Sequence, residues 1–111
     1  MKAKHLRTKR RDRNHIVYRL DLVTTGDFYI GISGMVGRAK LKTLRIRFGR
    51  HLSKAFNEDH DWTLHRFLRK YPDPKDWKKT VLMVVRGRPA ALAIERKLIK
   101  SKRPTLNTAV Y

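Results

Sequence analysis

The sequence predicts a small α+β fold in which a central, mostly antiparallel sheet is flanked by about three helices. Three observations lead to this prediction. The chain has 111 residues, which is enough for one compact domain. Leu, Ile, Val and Phe make up about a quarter of the residues, so a hydrophobic core can form. Segments with strand or helix patterns follow one another in the order strand, strand, helix, helix, strand, helix.

The first two strands are predicted to form a hairpin. Residues 16–23 and 28–32 are rich in β-branched and aromatic side chains, which favour strands. Residues 24–27 between them contain Gly26 and polar side chains that are typical of a turn. An antiparallel hairpin is therefore the simplest connection, and it forms one part of the sheet.

Helices are expected before and after a third strand. Apolar residues recur every three or four positions over residues 41–57, and a second helix is expected over residues 62–71. Residues 77–86 contain an uninterrupted apolar run at 81–85, which predicts a strand buried on both faces. A last helix is expected over residues 89–101, because a proline stands at its first turn.

The net charge of +19 is the strongest feature of the composition. Repulsion of this size opposes compaction, and a polyanion relieves it by neutralising cations and releasing counterions. Nucleic acid is therefore the expected partner, whereas no segment has the wide apolar and basic faces that favour a membrane surface. The chain has no cysteine, which fits a cytoplasmic protein and excludes a thiolate metal site.

Residues 1–14 indicate a flexible basic arm in front of a domain over residues 15–111, since seven of the fourteen are Lys or Arg. Further cations lie after the second strand and on the first predicted helix. The residues expected to contact phosphates are Lys9, Arg10, Arg11, Arg13, Arg38, Lys40, Lys42, Arg45, Arg50 and Lys54. Because phosphate contacts carry no base information, we expect weak sequence preference.

Glu95 is unusual because it lies in the middle of a predicted helix, whereas the other acidic residues lie in the arm, in turns or near element ends. Ala91 and Leu98 place it on the stripe that should pack against the sheet. An inward carboxylate is costly unless a cation or hydrogen-bond donors meet it. Two interpretations stay open: an ion pair with a neighbouring arginine, or a ligand for Mg²⁺, which needs few protein oxygens. No zinc site is expected from His60 and His65, because they do not share a helix face.

Side chains able to bind phosphate, orient water or hold a metal occur in order along the domain. They are Tyr18, Tyr29, Arg47, His51, Glu95 and Asn107. Tyr29 begins the tripeptide Tyr29-Ile30-Gly31, and Arg47 and His51 are four residues apart on one helix face. This arrangement resembles the GIY-YIG nuclease family, with Ile16-Val17-Tyr18 at the position of the first motif.

The resemblance implies a divalent-metal-dependent endonuclease that hydrolyses phosphodiester bonds in DNA, with RNA open as an alternative substrate. It implies one Mg²⁺ or Mn²⁺ ion on Glu95, a phosphate contact from Arg47, an orienting role for Asn107 and a structural role for Gly31. Arg45 stays open as the alternative arginine, although it has no His or Tyr four residues later.

The general base is open among His51, Tyr18 and Tyr29, and His51 is expected to titrate near neutrality. An interpretation from a different class is a non-catalytic nucleic-acid-binding or ribosome-associated protein on the same fold. The sequence leaves open whether the protein is a monomer or a homodimer. The small size suits an enzyme of a phage or mobile element acting in the cytoplasm of a bacterial host.

Overall fold

A computed structural model describes residues 13–57 and 62–107 of the chain. The elements are β1 (Asn14–Leu22), β2 (Phe28–Gly34), α1 (Lys40–Asn57), α2 (Thr63–Lys70), β3 (Trp77–Arg86) and α3 (Arg88–Lys102), with one 3₁₀ turn at Pro74–Asp76. The strands form one antiparallel sheet, so the predicted α+β class is confirmed. Within the described residues, no helix combines the length and the apolar character needed to cross a bilayer.

β1 is the central strand of the sheet, and the order across the sheet is β2-β1-β3. The predicted hairpin of the first two strands is confirmed, because β1 pairs with β2 in antiparallel fashion. Gly26 in the turn has φ 81°, a left-handed conformation that glycine adopts without strain. The register sets Tyr18 directly opposite Gly31.

The two faces of the sheet are covered by different helices, because successive side chains of β1 point to opposite faces. One face packs under α1 and α2, with Ile16, Tyr18, Leu20, Leu22, Leu44, Phe48, Ala55, Leu64 and Leu68 in one buried cluster. The other face packs under α3, with Val17, Ile30, Ile94, Leu98 and Ile99. The fold therefore has three layers, with the thin sheet in the middle.

The prediction that the third strand is buried on both faces is wrong. β3 is an edge strand of the described sheet, and its residues Leu82, Met83 and Val84 are 39%, 43% and 43% exposed. The register shifts at Leu82, which forms a bulge opposite β1. A continuous apolar run does not distinguish a central strand from the edge of a small sheet, so the sequence pattern alone misplaced β3.

The sheet begins before the predicted domain boundary at residue 15. The carbonyl oxygen of Arg13 accepts a hydrogen bond from the Gly87 amide at 3.0 Å, and that of Asn14 accepts one from the Met35 amide at 2.8 Å. Arg13 also donates from Nε to the Met35 carbonyl oxygen at 3.2 Å. The Nε group of Arg13 thus stabilises the fold through this hydrogen bond. Residues 1–12 of the predicted arm lie outside the described residues.

The segment that follows α3 closes the outer edge of β2. The Leu106 amide donates to the Phe28 carbonyl oxygen at 3.0 Å. The Asn107 side chain then accepts from the Ile30 amide at 3.0 Å and donates to the Ile30 carbonyl oxygen at 2.8 Å. These bonds continue the ladder in place of a fourth strand and satisfy backbone groups that a bare edge leaves open.

Candidate active site

Tyr18 and Tyr29 lie side by side because of the hairpin register. Tyr29 and Gly31 point to the same face of β2, and Gly31 is opposite Tyr18 on β1. A Cβ atom at Gly31 would lie 2.8 Å from the Tyr18 hydroxyl oxygen and 2.7 Å from Cε2 of Tyr29. The absence of a side chain at Gly31 therefore makes the space in which the two phenol rings meet, with centroids 6.1 Å apart.

Helix α1 brings His51 onto the two tyrosines. Nε2 of His51 lies 2.8 Å from the Tyr18 hydroxyl oxygen, and the edge of the His51 ring faces Tyr29 with centroids 5.5 Å apart. Only 1% of His51 is exposed. The spacing of α1 explains this placement, because Phe48 and Ala55 on the buried side are three residues before and four residues after His51.

Arg47 lies one turn before His51 and reaches the same phenol. Its Nε donates a hydrogen bond to the Tyr18 hydroxyl oxygen at 3.4 Å. Among the described residues, none accepts a hydrogen bond from Nη1 or Nη2 of Arg47, so this pair of donors is available to a ligand. Arg45, in contrast, is exposed and lines an apolar groove together with Phe48 and Lys79. The geometry therefore favours Arg47 over Arg45 as the arginine of this cluster.

Burial keeps both Tyr18 and His51 neutral. Loss of solvation raises the pKa of Tyr18 well above its usual value, and Tyr29 adds to this, whereas Arg47 acts in the opposite direction. Burial also lowers the pKa of His51 to about 3, with further contributions from its electrostatic interactions with Arg47, His65 and Lys54. The expectation that His51 titrates near neutrality is therefore wrong for this environment. The pair acts as neutral hydrogen-bonding groups at pH 7.

Glu95 is half-buried on α3, which covers the opposite face of the sheet from α1. Burial raises its pKa, while the charges of Arg88, Arg96 and Arg47 act in the opposite direction. No described residue forms an ion pair within 4.0 Å of this carboxylate. No hydrogen bond joins Glu95 to the tyrosines or His51 among the described residues, and its electrostatic interaction with Arg47 links it to the cluster.

Among the described residues, a metal ion at this site would have one protein carboxylate, that of Glu95. Residues 13–57 and 62–107 contain no group of three or more His, Cys, Asp or Glu that could hold a metal. A Mg²⁺ or Mn²⁺ ion that takes its other ligands from water and phosphate needs no such group. A carboxylate whose ionised form is disfavoured by burial, with no ion pair of its own, suits a cation. The residues present therefore fit a single hydrated ion.

Asn107 does not face the cluster of Tyr18, Arg47 and His51. Both polar atoms of its side chain bind the backbone of Ile30, the residue between Tyr29 and Gly31. Its amide therefore fixes the strand segment that carries the second tyrosine. The residue that the sequence indicated as an orienting group acts on the backbone of β2 in this structure.

The basic residues expected to bind nucleic acid fall on two sides of α1. Lys9, Arg10 and Arg11 lie outside the described residues, and Arg38 is exposed before the helix. With about 3.6 residues per turn, Lys40, Arg50 and Lys54 lie on the side of Arg47. Lys42 and Arg45 lie on the far side, where Arg45 borders the groove. Only the first of these two groups borders the tyrosine cluster.

Sequence reasoning missed His65, which it considered only as a zinc ligand. His65 is fully buried on α2, and its Nε2 lies 3.3 Å from Nδ1 of His51. The sequence signal was its position next to Leu64 and three residues before Leu68, on the apolar stripe of an otherwise basic helix. A histidine on such a stripe is expected to be buried with a partner.

The cluster combines a guanidinium with two available donor nitrogens, a phenol and a neutral imidazole. Such a set can bind an oxyanion and can orient a water molecule beside it. Comparisons of the chain with protein-family models, with curated proteins and with solved structures found no match.

Proposed function

We propose that the protein is a divalent-metal-dependent endonuclease that hydrolyses phosphodiester bonds in DNA. One observation carries the proposal. The hydroxyl oxygen of Tyr18 meets both Nε of Arg47, at 3.4 Å, and Nε2 of His51, at 2.8 Å. Phosphodiester hydrolysis needs a cation on the phosphate and a positioned group near the attacking water. The resemblance of the ordered site residues to GIY-YIG nucleases supports the same conclusion.

Arg47 binds the scissile phosphate. Its Nε is held by Tyr18, so Nη1 and Nη2 are oriented as a planar pair of donors. Two N–H groups in this geometry match two oxygens of a phosphate and offset the negative charge that develops during hydrolysis. Lys40 and Arg50 on the same side of α1 hold the neighbouring phosphates of the strand.

Tyr18 orients the attacking water, and His51 holds the Tyr18 hydroxyl group in place. Because both groups are neutral at pH 7, they form a hydrogen-bonded pair without a net charge. Their rigid placement between β1 and α1 fixes the direction of the phenol hydroxyl. Tyr29 packs against both rings and excludes solvent from one side of the pair.

Glu95 holds the metal ion in this proposal. The ion, Mg²⁺ or Mn²⁺, supplies Lewis-acid stabilisation of the phosphate charge. The electrostatic interaction between Glu95 and Arg47 supports a common site for the ion and the guanidinium. The carboxylate costs stability in the free protein, since burial disfavours its ionised form.

The test is cleavage of a supercoiled plasmid in the presence of Mg²⁺ or Mn²⁺. Arg47→Ala should lower the rate by about 100-fold or more, as expected when a donor to the transition state is removed. Arg45→Ala is the matched control, two residues away on the far side of α1, and should leave the rate near that of the wild type. Glu95→Gln should abolish cleavage, retain DNA binding and raise the free energy of unfolding at pH 7, because it removes a partly desolvated charge.

Three outcomes would contradict parts of this proposal. DNA binding without cleavage with either metal would favour the non-catalytic nucleic-acid-binding protein. Cleavage that survives Glu95→Gln would remove Glu95 from the metal site. Faster cleavage of a labelled RNA than of the DNA of the same sequence would reassign the substrate, because the 2′-hydroxyl is the group that distinguishes RNA from DNA.

A further inference from the structure

His65 is a fully buried histidine that the proposed function leaves without a role. It lies on α2, and Tyr18 and His51 lie on β1 and α1, so the three residues come from three separate elements. Their exposures are 0%, 0% and 1% for His65, Tyr18 and His51. Buried polar groups are usually hydrogen-bonded, and here the Tyr18 hydroxyl, both nitrogens of His51 and Nε2 of His65 satisfy one another, whereas Nδ1 of His65 is buried outside this row.

The three residues form a continuous row of hydrogen bonds. The hydroxyl oxygen of Tyr18 is 2.8 Å from Nε2 of His51, and Nδ1 of His51 is 3.3 Å from Nε2 of His65. Both nitrogens of His51 are therefore occupied by protein partners. The row runs from the candidate site at Tyr18 to α2 on the outer side of the helical layer.

A neutral imidazole carries one proton on one nitrogen and a lone pair on the other. The burial of His51 and the cations around it keep it neutral at pH 7. The role of Nδ1 toward His65 consequently decides the role of Nε2 toward Tyr18. If Nδ1 donates to His65, then Nε2 accepts the phenol proton; if Nδ1 accepts, then Nε2 donates to the phenol oxygen.

Two arguments favour the arrangement in which His51 Nε2 accepts. A phenol is the stronger acid and an imidazole the stronger base, so the short O–H to N contact of 2.8 Å is the better matched bond. Arg47, which is positively charged, donates to the same phenol oxygen. Its charge favours a lone pair rather than an N–H group on Nε2 of His51.

We propose that His65 is a positioning residue of the site. Its Nε2 accepts a hydrogen bond from Nδ1–H of His51. This bond keeps Nε2 of His51 unprotonated, so that it accepts the hydrogen bond of the Tyr18 hydroxyl. With its proton directed to His51, the phenol oxygen keeps one fixed orientation and presents a lone pair to Arg47. This inference rests on the proposed function for its catalytic meaning, but the tautomer itself is a property of the free protein.

The tautomer is measured by long-range ¹H–¹⁵N correlation spectra of the full ¹⁵N-labelled chain near pH 7. We expect His51 to show a protonated Nδ1 and an unprotonated Nε2. His65→Phe keeps a ring of similar size but removes the acceptor, so His51 should change to a mixture of tautomers or to the other one. His65→Gln retains an oxygen acceptor near the position of Nε2 and should restore the wild-type pattern. His15, which lies 2.9 Å from the Arg13 carbonyl oxygen, is the internal control and should keep its spectrum in both variants.

Cleavage by the same variants gives the second readout. His65→Phe should lower kcat by about 10-fold to 100-fold, as for other supporting partners of a functional histidine, with little change in DNA affinity. His65→Gln should recover most of this loss. Thermal unfolding of both variants checks that each is folded at the assay temperature.

A proton on Nε2 of His51 in the wild type, or an unchanged tautomer in His65→Phe, would overturn the proposal. Equal loss of activity in the Phe and Gln variants would also overturn it, because packing alone would then explain the role of His65. If the wild-type protein does not cleave DNA, the proposed function fails, while the spectra still decide whether His65 sets the tautomer of His51.

Discussion

At the scale of single residues, the tightest constraint on the site is a missing side chain. Gly31 lies opposite Tyr18 in the register of β1 and β2, and the phenols of Tyr18 and Tyr29 occupy the space above it. Contacts of 2.7 and 2.8 Å to an added Cβ are shorter than carbon atoms tolerate, so any larger residue must push the rings away. Gly31 thus determines the position of the Tyr18 hydroxyl oxygen, which both His51 and Arg47 contact.

Gly31→Ala should displace the two tyrosines and break the contact between Tyr18 and His51. We expect a loss of about 1–3 kcal/mol in the free energy of unfolding, as for other overpacked sites, and a large loss of cleavage. Gly49→Ala is the matched control, because a Cβ at this exposed position of α1 meets nothing within 4 Å. That variant should gain up to about 1 kcal/mol from helix propensity. Urea unfolding measures both, and equal stability of the two variants would contradict this account of Gly31.

His51 makes stability depend on pH in a defined direction. Its pKa is about 3 in the folded protein against 6.5 as the usual value, so between these values the unfolded chain binds a proton that the folded chain does not. Above pH 6.5, His51 therefore does not change the free energy of unfolding. As the pH falls from 6.5 toward 3, His51 lowers this free energy by about 1.4 kcal/mol for each pH unit. His51→Gln should flatten the corresponding slope in urea unfolding measured from pH 7 to pH 4. An unchanged slope would show that His51 is solvated and titrates normally.

The structure brings together four of the candidate residues that the sequence indicated, because their proximity depends on local regularities. Helical spacing stacks Arg47 and His51 on one face, and a short turn brings the strands of Tyr18 and Tyr29 together. The partners of Asn107 and His65 depend on contacts over 77 and 14 residues, which no local pattern encodes. The pKa of His51 depends on burial by surrounding elements, and this is why the expectation that His51 titrates near pH 7 was wrong.

At the scale of elements, α1 separates two basic surfaces. Lys40 and Arg50 flank Arg47 beside the tyrosine cluster, whereas Lys42 and Arg45 lie on the opposite side of the same helix. Periodicity predicted the helix and its cations. The structure also buries its polar residues Thr43 and His51, both 1% exposed, because α2 and the hairpin cover this side of the helix.

A pair of double variants tests which side of α1 contacts DNA. Lys40→Glu with Arg50→Glu, and Lys42→Glu with Arg45→Glu, change the net charge equally. The first pair should weaken binding and lower the slope of log affinity against log salt by about two, because two phosphate contacts are lost. The second should have a smaller effect on both quantities, measured by fluorescence anisotropy at several salt concentrations. Equal effects would mean that binding follows the total charge rather than this face.

β3 shows the limit of element-level prediction. Its length and position in the chain followed from composition, but its place at the edge of the sheet follows from the way the chain returns to β1 after α1 and α2. An apolar run fits either place, and only the long-range pairing decides. The bulge at Leu82 adds a local irregularity that blunts this exposed edge.

At the scale of the whole molecule, the net charge of +19 means that added salt should have opposite effects on folding and on DNA binding. Salt screens the repulsion among the cations, so the free energy of unfolding should rise between about 0.05 M and about 0.5 M NaCl. Over the same range the affinity for DNA should fall steeply, because the release of counterions is worth less. Urea unfolding and anisotropy titrations in the same buffers measure the two trends. A fall in stability with salt would show that attractive ion pairs outweigh the repulsion.

The bonds from Leu106 and Asn107 to β2 also set an order of events while the protein is being made. A ribosome produces β2 and α1 long before residue 107, which comes 77 residues after its partner Ile30. Until Asn107 has left the exit tunnel, the backbone of Ile30, next to Tyr29, lacks the two hydrogen bonds of the Asn107 side chain. The geometry around Tyr29 is therefore complete only after this region of the chain has been synthesised.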